Sequence, residues 1–375
     1  MADILGFCDP RFQSLRDLFE SNLDTGLDEG ASLAVTLNGI MVVDLWGGTR
    51  DLARTLPWEE DTPALVFSTG KVVVNIAVLM LWDRGLLDID APVATYWPEF
   101  GRNGKHAVTT RQVLTHQSGV PGFGRSVDFE EVLDWKHIVE VVEAAPLWFE
   151  PGSATCYSPV IYGFILGELV HRLTRRRFET FVTDEITGPV GAQFSFGVLP
   201  AAREELAELW VPASASARVM MSESGSRAYG EVVGTKLSPE FLGAVVPATN
   251  GVCNARALAR IGSILAMAGE VGGHRYLGRH IVEQAAQEQN YAFDQALGWC
   301  RYGLGFGLDS AQFKAATPTS FHWGGFGGSG VTMDMATGLS LGFVPNRLIA
   351  SDDLFEPRVS GLWQALGAIS AGIKG

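Results

Sequence analysis

The spacing of apolar positions changes along the chain, and each change predicts an element. Arg11 to Leu23 carries apolar residues at helical spacing and predicts a surface helix. The stretch ASLAVTLNGIMVVDLWGG, residues 31–48, predicts a β-hairpin, because Asn38-Gly39 supplies the two positive-φ residues of a tight turn between apolar runs. From Ser68 to Gly85 apolar residues fall on every face, which predicts a buried helix that Asp88, Asp90 and Pro92 bring to an end. Helical patterns recur over Thr110–His116, Phe129–Glu143 and Val160–Leu173. Ser158 and Pro159 suit the N-cap and first-turn positions of the last of these. Pro212 to Lys236, rich in Ser, Gly and Ala, predicts a long loop of the kind that rims functional sites. Short strands then return in RYGLGFGLD, SFHW, GSGVTMDM and LSLGFVP, split by glycines and by Thr337-Gly338, and Leu354 to Ile373 predicts a closing helix.

Strands at both ends with helices between them predict a mixed α/β (α+β) fold. The sheet domain would come from residues 1–62 and 238–375, and a mainly helical domain, 63–237, would be inserted into it, with the site in the cleft between them. A chain of 375 residues has room for both. With 47% hydrophobic and 19% charged residues it belongs with compact folded proteins rather than disordered ones. The net charge of −14 argues against a phosphate-binding surface, so no nucleic-acid partner is expected. The longest apolar run, Val72 to Trp82, is interrupted by Asn75 and is too short for a bilayer. The start, MADILGFCDPRFQSL, lacks the basic and apolar regions of a secretory leader. These features predict a cytoplasmic protein with no membrane partner. Cys8, Cys156, Cys253 and Cys300 are too widely spaced for a zinc site or a CxxC pair and read as reduced, buried thiols.

Three segments carry candidate chemistry. Ser68-Thr69-Gly70-Lys71 is an S-x-x-K sequence at the start of the buried helix. Residues three apart share a helix face, so hydroxyl and amine can touch. Burial and the positive end of the helix dipole both favour the neutral amine, which can take the serine proton and create a nucleophile. Tyr157, just before a helix, is placed to shuttle protons beside such a lysine. In Trp323-Gly324-Gly325-Phe326-Gly327-Gly328-Ser329 the glycines allow close backbone approach to a ligand. A backbone N–H there, with that of Ser68, could form an oxyanion hole. Gly325 to Gly330 also spells G-x-G-x-x-G, but it runs into a strand instead of opening a helix, so the dinucleotide reading fails.

Other chemistries find no support. There is no G-x-S-x-G elbow, no HExxH and no Walker A sequence, and the seven histidines show no metal-ligand spacing. His116 precedes a turn and reads as structural. Strand alternation turns His322 away from Trp323 and from the pocket.

In this order the segments resemble the serine β-lactamase and penicillin-binding-protein-like superfamily, in its class C-like branch. The likeness runs from about Ala31 to Val344. FSTGKVVVNIAVLMLWDRGLLDIDAPVATYWPEF looks like its nucleophile helix and VLTHQSGVPG like the turn after the next helix. PGSATCYSPVIYGFILGELV looks like its tyrosine segment and FHWGGFGGSG like its third motif. The resemblance implies an acylated Ser68, with Lys71 and Tyr157 as general base and acid. It implies an oxyanion hole from the N–H groups of Ser68 and Phe326, and no metal or organic cofactor. Class C β-lactamases have lysine where this chain has Trp323, and often Asn where it has Pro159. Both departures remove groups aimed at an anionic amide. Trp-Gly-Gly is similar to family VIII carboxylesterases and to the lovastatin-pathway acyltransferase. The expectation is a serine carboxylesterase acting on a small ester or acyl donor. Trp323, Gly324, Gly325 and Phe326 would line the substrate pocket, joined by Phe123 and Trp148 from loop positions. The alternatives are transfer of the acyl group to an alcohol or amine, amide or β-lactam hydrolysis, and a non-catalytic acyl-ligand binder.

Overall fold

Strand segments from the two ends of the chain meet in one antiparallel sheet. The computed structural model describes residues 3–210, 232–233, 238–311, 313–349 and 357–373. Among these, the sheet has nine strands, in the order Ile4–Cys8, Ile40–Gly48, Gly30–Leu37, Leu339–Pro345, Gly330–Asp334, Phe321–Gly324, Gly307–Leu308, Gly298–Tyr302 and Asn290–Asp294. The hairpin at residues 31–48 forms as its pattern predicts, with Asn38 and Gly39 at φ 53° and 75°.

Both faces of the central strands are covered, so their residues alternate between two cores. Leu33, Val35, Leu341 and Phe343 pack against Phe12, Leu15 and Phe19 near the N-terminus and against Val359, Leu362 and Trp363 of the helix Pro357–Ile373. Ala34, Val331, Met333 and Trp323 face the other way, toward the helix Ala255–Ala266 and the helical middle of the chain. Side chains of period two on a strand dictate that split. The helix Ala255–Ala266 lies directly on the sheet because each side presents a glycine to the other. A Cβ on Gly342 would come within 2.5 Å of the Ala255 carbonyl oxygen, and one on Gly262 within 2.2 Å of Ser340 Oγ.

The predicted buried helix is Lys71–Asp83, in which every residue from Lys71 to Leu81 is buried. It packs against the helix Ile161–Thr174. A smaller sheet, Ala64–Phe67, Gly251–Cys253 and Phe194–Phe196, delivers the chain to its N-terminus.

Two local expectations are corrected. Phe129–Glu143 forms two helices, Phe129–Leu133 and Trp135–Ala144, because Asp134 leaves helical geometry (φ −93°, ψ 102°) and caps the second by accepting from His137 N. Ser158 is not an N-cap: the third helix begins only at Ile161, preceded by Val160 without a side-chain cap. The loop expected over Pro212–Lys236 lies outside the described residues, apart from Val232–Val233, which pairs in parallel with Val127–Asp128. Among the described residues no helix is long and apolar enough to cross a membrane. All four cysteines are free thiols, but only Cys156, Cys253 and Cys300 are buried as expected; Cys8, on the edge strand Ile4–Cys8, is half-buried.

Candidate active site

The strand Ala64–Phe67 turns abruptly into the 3-10 turn Ser68–Gly70 and then into the helix Lys71–Asp83. Phe67 makes the turn at φ 47° and ψ −130°. A bulky residue held there stores about 1–3 kcal/mol of strain, which the surroundings must support. Part of that support is the Phe326 ring, which meets the Phe67 ring edge-on with centroids 5.6 Å apart.

Lys71 is fully buried, and its Nζ makes three polar contacts: Ser68 Oγ at 3.0 Å, the Pro159 carbonyl oxygen at 2.9 Å and the Ala248 carbonyl oxygen at 3.0 Å. Burial pushes its pKa well below that of an ordinary lysine, and among the described residues no carboxylate pairs with it. The two carbonyls accept only, so they take two N–H bonds and leave the remaining direction of the nitrogen for Ser68. In the neutral amine that direction holds the lone pair, and in the ammonium it holds the third proton. The amine can therefore take and return a proton without moving.

The Pro159 carbonyl accounts for the late start of the following helix, since it is turned onto Lys71 Nζ and the helix begins only after the bend at Pro159–Val160. Pro159 thus holds the lysine through its backbone, with no polar side chain. Ala248 is shaped by a second device. Buried Asn250 accepts from Val246 N at 2.9 Å and donates to the carbonyls of Phe241 and Ala244 at 2.9 and 2.8 Å. Gly163 of the helix Ile161–Thr174 completes the fit, because a Cβ there would stand 2.5 Å from Ala248 N.

Tyr157 Oη lies 2.7 Å from Ser68 Oγ. Buried Asp294 accepts Tyr157 N–H at 3.0 Å, together with Ala296 and Leu297 N–H at 2.8 and 3.1 Å, and its other oxygen accepts from Tyr302 Oη at 2.9 Å. His116 Nδ1 accepts the next backbone N–H, that of Ser158, at 3.3 Å. Its ring packs among Tyr157, Tyr162, Tyr302 and Trp323, at centroid distances of 5.0, 5.0, 5.3 and 5.8 Å. Burial, then the nearby Lys71, holds the His116 pKa well below the usual imidazole value, so it stays neutral with its proton on Nε2. Its role is to seat Tyr157.

The glycine-rich turn is pressed against the serine turn. A Cβ on Gly325 would stand 2.2 Å from the Val66 carbonyl oxygen, 2.3 Å from Ser329 Oγ and 2.8 Å from Thr69 Oγ1. Ser329 Oγ donates to the Val66 carbonyl at 2.7 Å and lies 2.9 Å from Thr69 Oγ1. Only glycine permits that approach, which leaves the next residue, Phe326, with its ring against Phe67, the residue before Ser68.

Ser68, Lys71, Tyr157, Gly325 and Phe326 therefore converge. Trp323 lies behind them, 7% exposed, with its ring stacked on His116. His322 points to the opposite face, where its ring meets Trp363 at 4.7 Å. Gly324 is half-buried at the strand end, and Trp148 is half-buried. Phe123 is buried, 2% exposed. Asp294, Asn250 and Ala248 escaped the sequence reading. Among the described residues no cluster of His, Cys, Asp or Glu could hold a metal.

A buried amine and a phenol on one serine hydroxyl, beside a glycine turn, define a serine hydrolase. The chain belongs to the beta-lactamase family, which matches residues 16–359. It is 31% identical over 365 residues to the esterase/beta-lactamase LipL of Mycobacterium tuberculosis, covering 92% of this chain and 84% of that one. Among solved structures, it is similar to a family VIII carboxylesterase (31% identity, TM-score 0.89, 98% of this chain and 100% of that chain). It is also similar to a penicillin-binding protein homolog from Caulobacter crescentus (32% identity, TM-score 0.91, the same coverage).

Proposed function

We propose that the protein is a carboxylesterase that hydrolyses small esters through an acyl-Ser68 intermediate. The observation that carries this reading is the triple contact of Lys71 Nζ, which leaves one direction of the amine for Ser68 Oγ. Neutral Lys71 accepts the Ser68 proton as Oγ attacks the ester carbonyl. The N–H groups of Ser68 and Phe326 stabilise the oxyanion. Collapse breaks the C–O bond to the alcohol, which leaves with a proton delivered through Tyr157. Water then attacks the acyl group, giving its proton back along the same path, and the acid departs from a restored serine. The esterase relatives and the aromatic pair Phe67–Phe326 beside the serine support a neutral, apolar ester as substrate.

The test is turnover of short p-nitrophenyl esters by wild type and Ser68→Ala, with intact mass after fluorophosphonate treatment. The expected result is turnover and a single adduct in wild type and neither in the variant. Equal turnover by both proteins rules the mechanism out. Strong nitrocefin hydrolysis without ester turnover would move the reading to lactams. An added alcohol that diverts product from acid to ester would move it to acyl transfer.

A further inference from the structure

Arg358 opens the helix Pro357–Ile373, more than two hundred residues along the chain from Tyr157, yet it reaches the glycine turn. Its side chain and that of Asp28 are both fully buried, and Nη1 pairs with Asp28 Oδ1. Its Nη2 donates to the carbonyl oxygen of Gly327 at 2.7 Å and to that of Arg347 at 3.0 Å. Gly327 directly follows Phe326.

A buried ion pair is a weak device for stability, because both charges lose their water and an apolar pair could fill the space. What a guanidinium offers instead is several N–H donors fixed in one plane, able to grip a carboxylate and carbonyls from separate segments at once. The turn needs such a grip. Gly327 and Gly328 sit at φ 83° and 111° and carry no side chains that could pin them. Ser329 ties the turn to Val66 and Thr69 on the nucleophile side. Arg358 ties it on the far side. Leu348 closes the gap there, its Cδ2 standing 2.0 Å from where a Cβ of Gly327 would be.

We propose that Arg358, anchored by Asp28, is a positioning residue that sets the Phe326 N–H against the oxyanion formed at Ser68. The proposal rests on the reading of that N–H as an oxyanion donor. A donor held slightly out of place loses more in the transition state than in the ground state. It lowers kcat and kcat/KM together and leaves KM nearly unchanged.

The experiment compares wild type, Arg358→Lys and the charge-free pair Asp28→Asn/Arg358→Met in p-nitrophenyl ester turnover and in the rate of fluorophosphonate labelling at Ser68. The double variant, folded by circular dichroism, is expected to lose about 10²-fold in kcat, as for removal of one oxyanion donor, with KM within about twofold. Labelling should slow in step, since the phosphoryl oxygen occupies the same place. Arg358→Lys keeps the charge pair but not the planar set of donors, and is expected to lose about tenfold in kcat, with KM within about twofold and a lowered melting temperature from the carbonyls left without a donor. A folded double variant with wild-type kcat and labelling overturns the proposal. If the double variant does not fold, wild-type kcat in Arg358→Lys overturns it. Wild type that neither turns over esters nor takes the label would instead defeat the proposed function.

Discussion

Asp294 Oδ1 accepts the backbone N–H of Tyr157 at 3.0 Å, across 137 positions of sequence, within a set of three backbone donors and one phenol. A single buried carboxylate therefore fixes where the candidate proton shuttle stands. Burial raises its pKa, while the backbone and phenol donors pull the other way. Asp294→Asn keeps an acceptor for the N–H groups and can reverse the bond to Tyr302. It is expected to retain most of kcat and melt near wild type. Asp294→Ala leaves buried donors without an acceptor, at about 1–3 kcal/mol each, and should lower both stability and kcat. Thermal melts with ester kinetics check both. Equal damage from Asn and Ala would show that the charge, not the cradle, matters.

The depressed pKa of Lys71 makes a signed prediction for rate. Only the neutral amine can take the Ser68 proton, so kcat/KM should rise with pH while Lys71 deprotonates and then level off. Burial places that rise well below the ordinary lysine pKa of about 10.4. A pH–rate profile on a neutral ester measures it, and a rise centred near the ordinary value would show Lys71 charged in the working enzyme.

Much of this site was legible because its key residues sit in local patterns. Ser68 and Lys71 share one helical turn, and the hairpin at residues 31–48 declares itself through Asn38-Gly39. The residues that hold the site in place were not legible. Asp294 and Arg358 act on backbone groups of distant segments, Asn250 on main-chain groups four to nine residues before it and Ala248 through its own carbonyl, and a hydrogen bond to a main-chain N–H or C=O leaves no mark on residue type at its other end. Ser158-Pro159 misled for a related reason. Its sequence suits a helix start, but the carbonyl of Pro159 is needed at Lys71, and that contact outweighs the local capping preference.

Gly325→Ala probes the close approach of the two turns. The added Cβ would overlap the Val66 carbonyl oxygen at 2.2 Å, which is backbone and cannot swing aside. Overpacking of this kind costs about 1–3 kcal/mol. Separating Phe326 from Ser68 should also cost about 10²-fold in kcat. Denaturant unfolding with ester kinetics gives both numbers, and a variant with wild-type kcat would show that the turn is not held by this contact.

Two buried imidazoles make stability depend on acid. Burial holds the pKa of His116 well below the usual value and pushes that of His322 down to about 3, whereas both titrate near 6.5 when unfolded. Between those limits the unfolded chain binds more protons, so stability falls as pH drops below about 6.5, by up to about 1.4 kcal/mol per pH unit for each histidine. Asp28, Asp44 and Asp294, whose carboxyls burial pushes up, act with the opposite sign. The test is therefore differential: urea midpoints of wild type and His322→Leu at pH 7 and pH 5. The variant should lose less stability on acidification, and equal losses would mean that His322 is protonated in the native state.

The resemblance to class C β-lactamases sets Trp323 against their lysine, and Trp323→Lys asks whether that one change introduces lactam hydrolysis. The structure predicts that it does not. The indole is 7% exposed and packs on His116, Tyr157 and Tyr302, so it is part of the wall that seats the tyrosine. Removing it leaves a void costing about 3–5 kcal/mol, as for other large-to-small changes of a buried tryptophan. The new ammonium would also lie in the same poorly solvated region as Lys71. The folded state would favour its neutral form, the unfolded chain would bind more protons, and stability should recover as pH rises. The expected outcome is a melting temperature well below wild type at pH 7, partly restored at pH 9. Ester turnover should fall and nitrocefin hydrolysis should not increase. A stable variant that gains nitrocefin hydrolysis would show that the lysine position is open to substrate and that packing behind Tyr157 does not set the reaction.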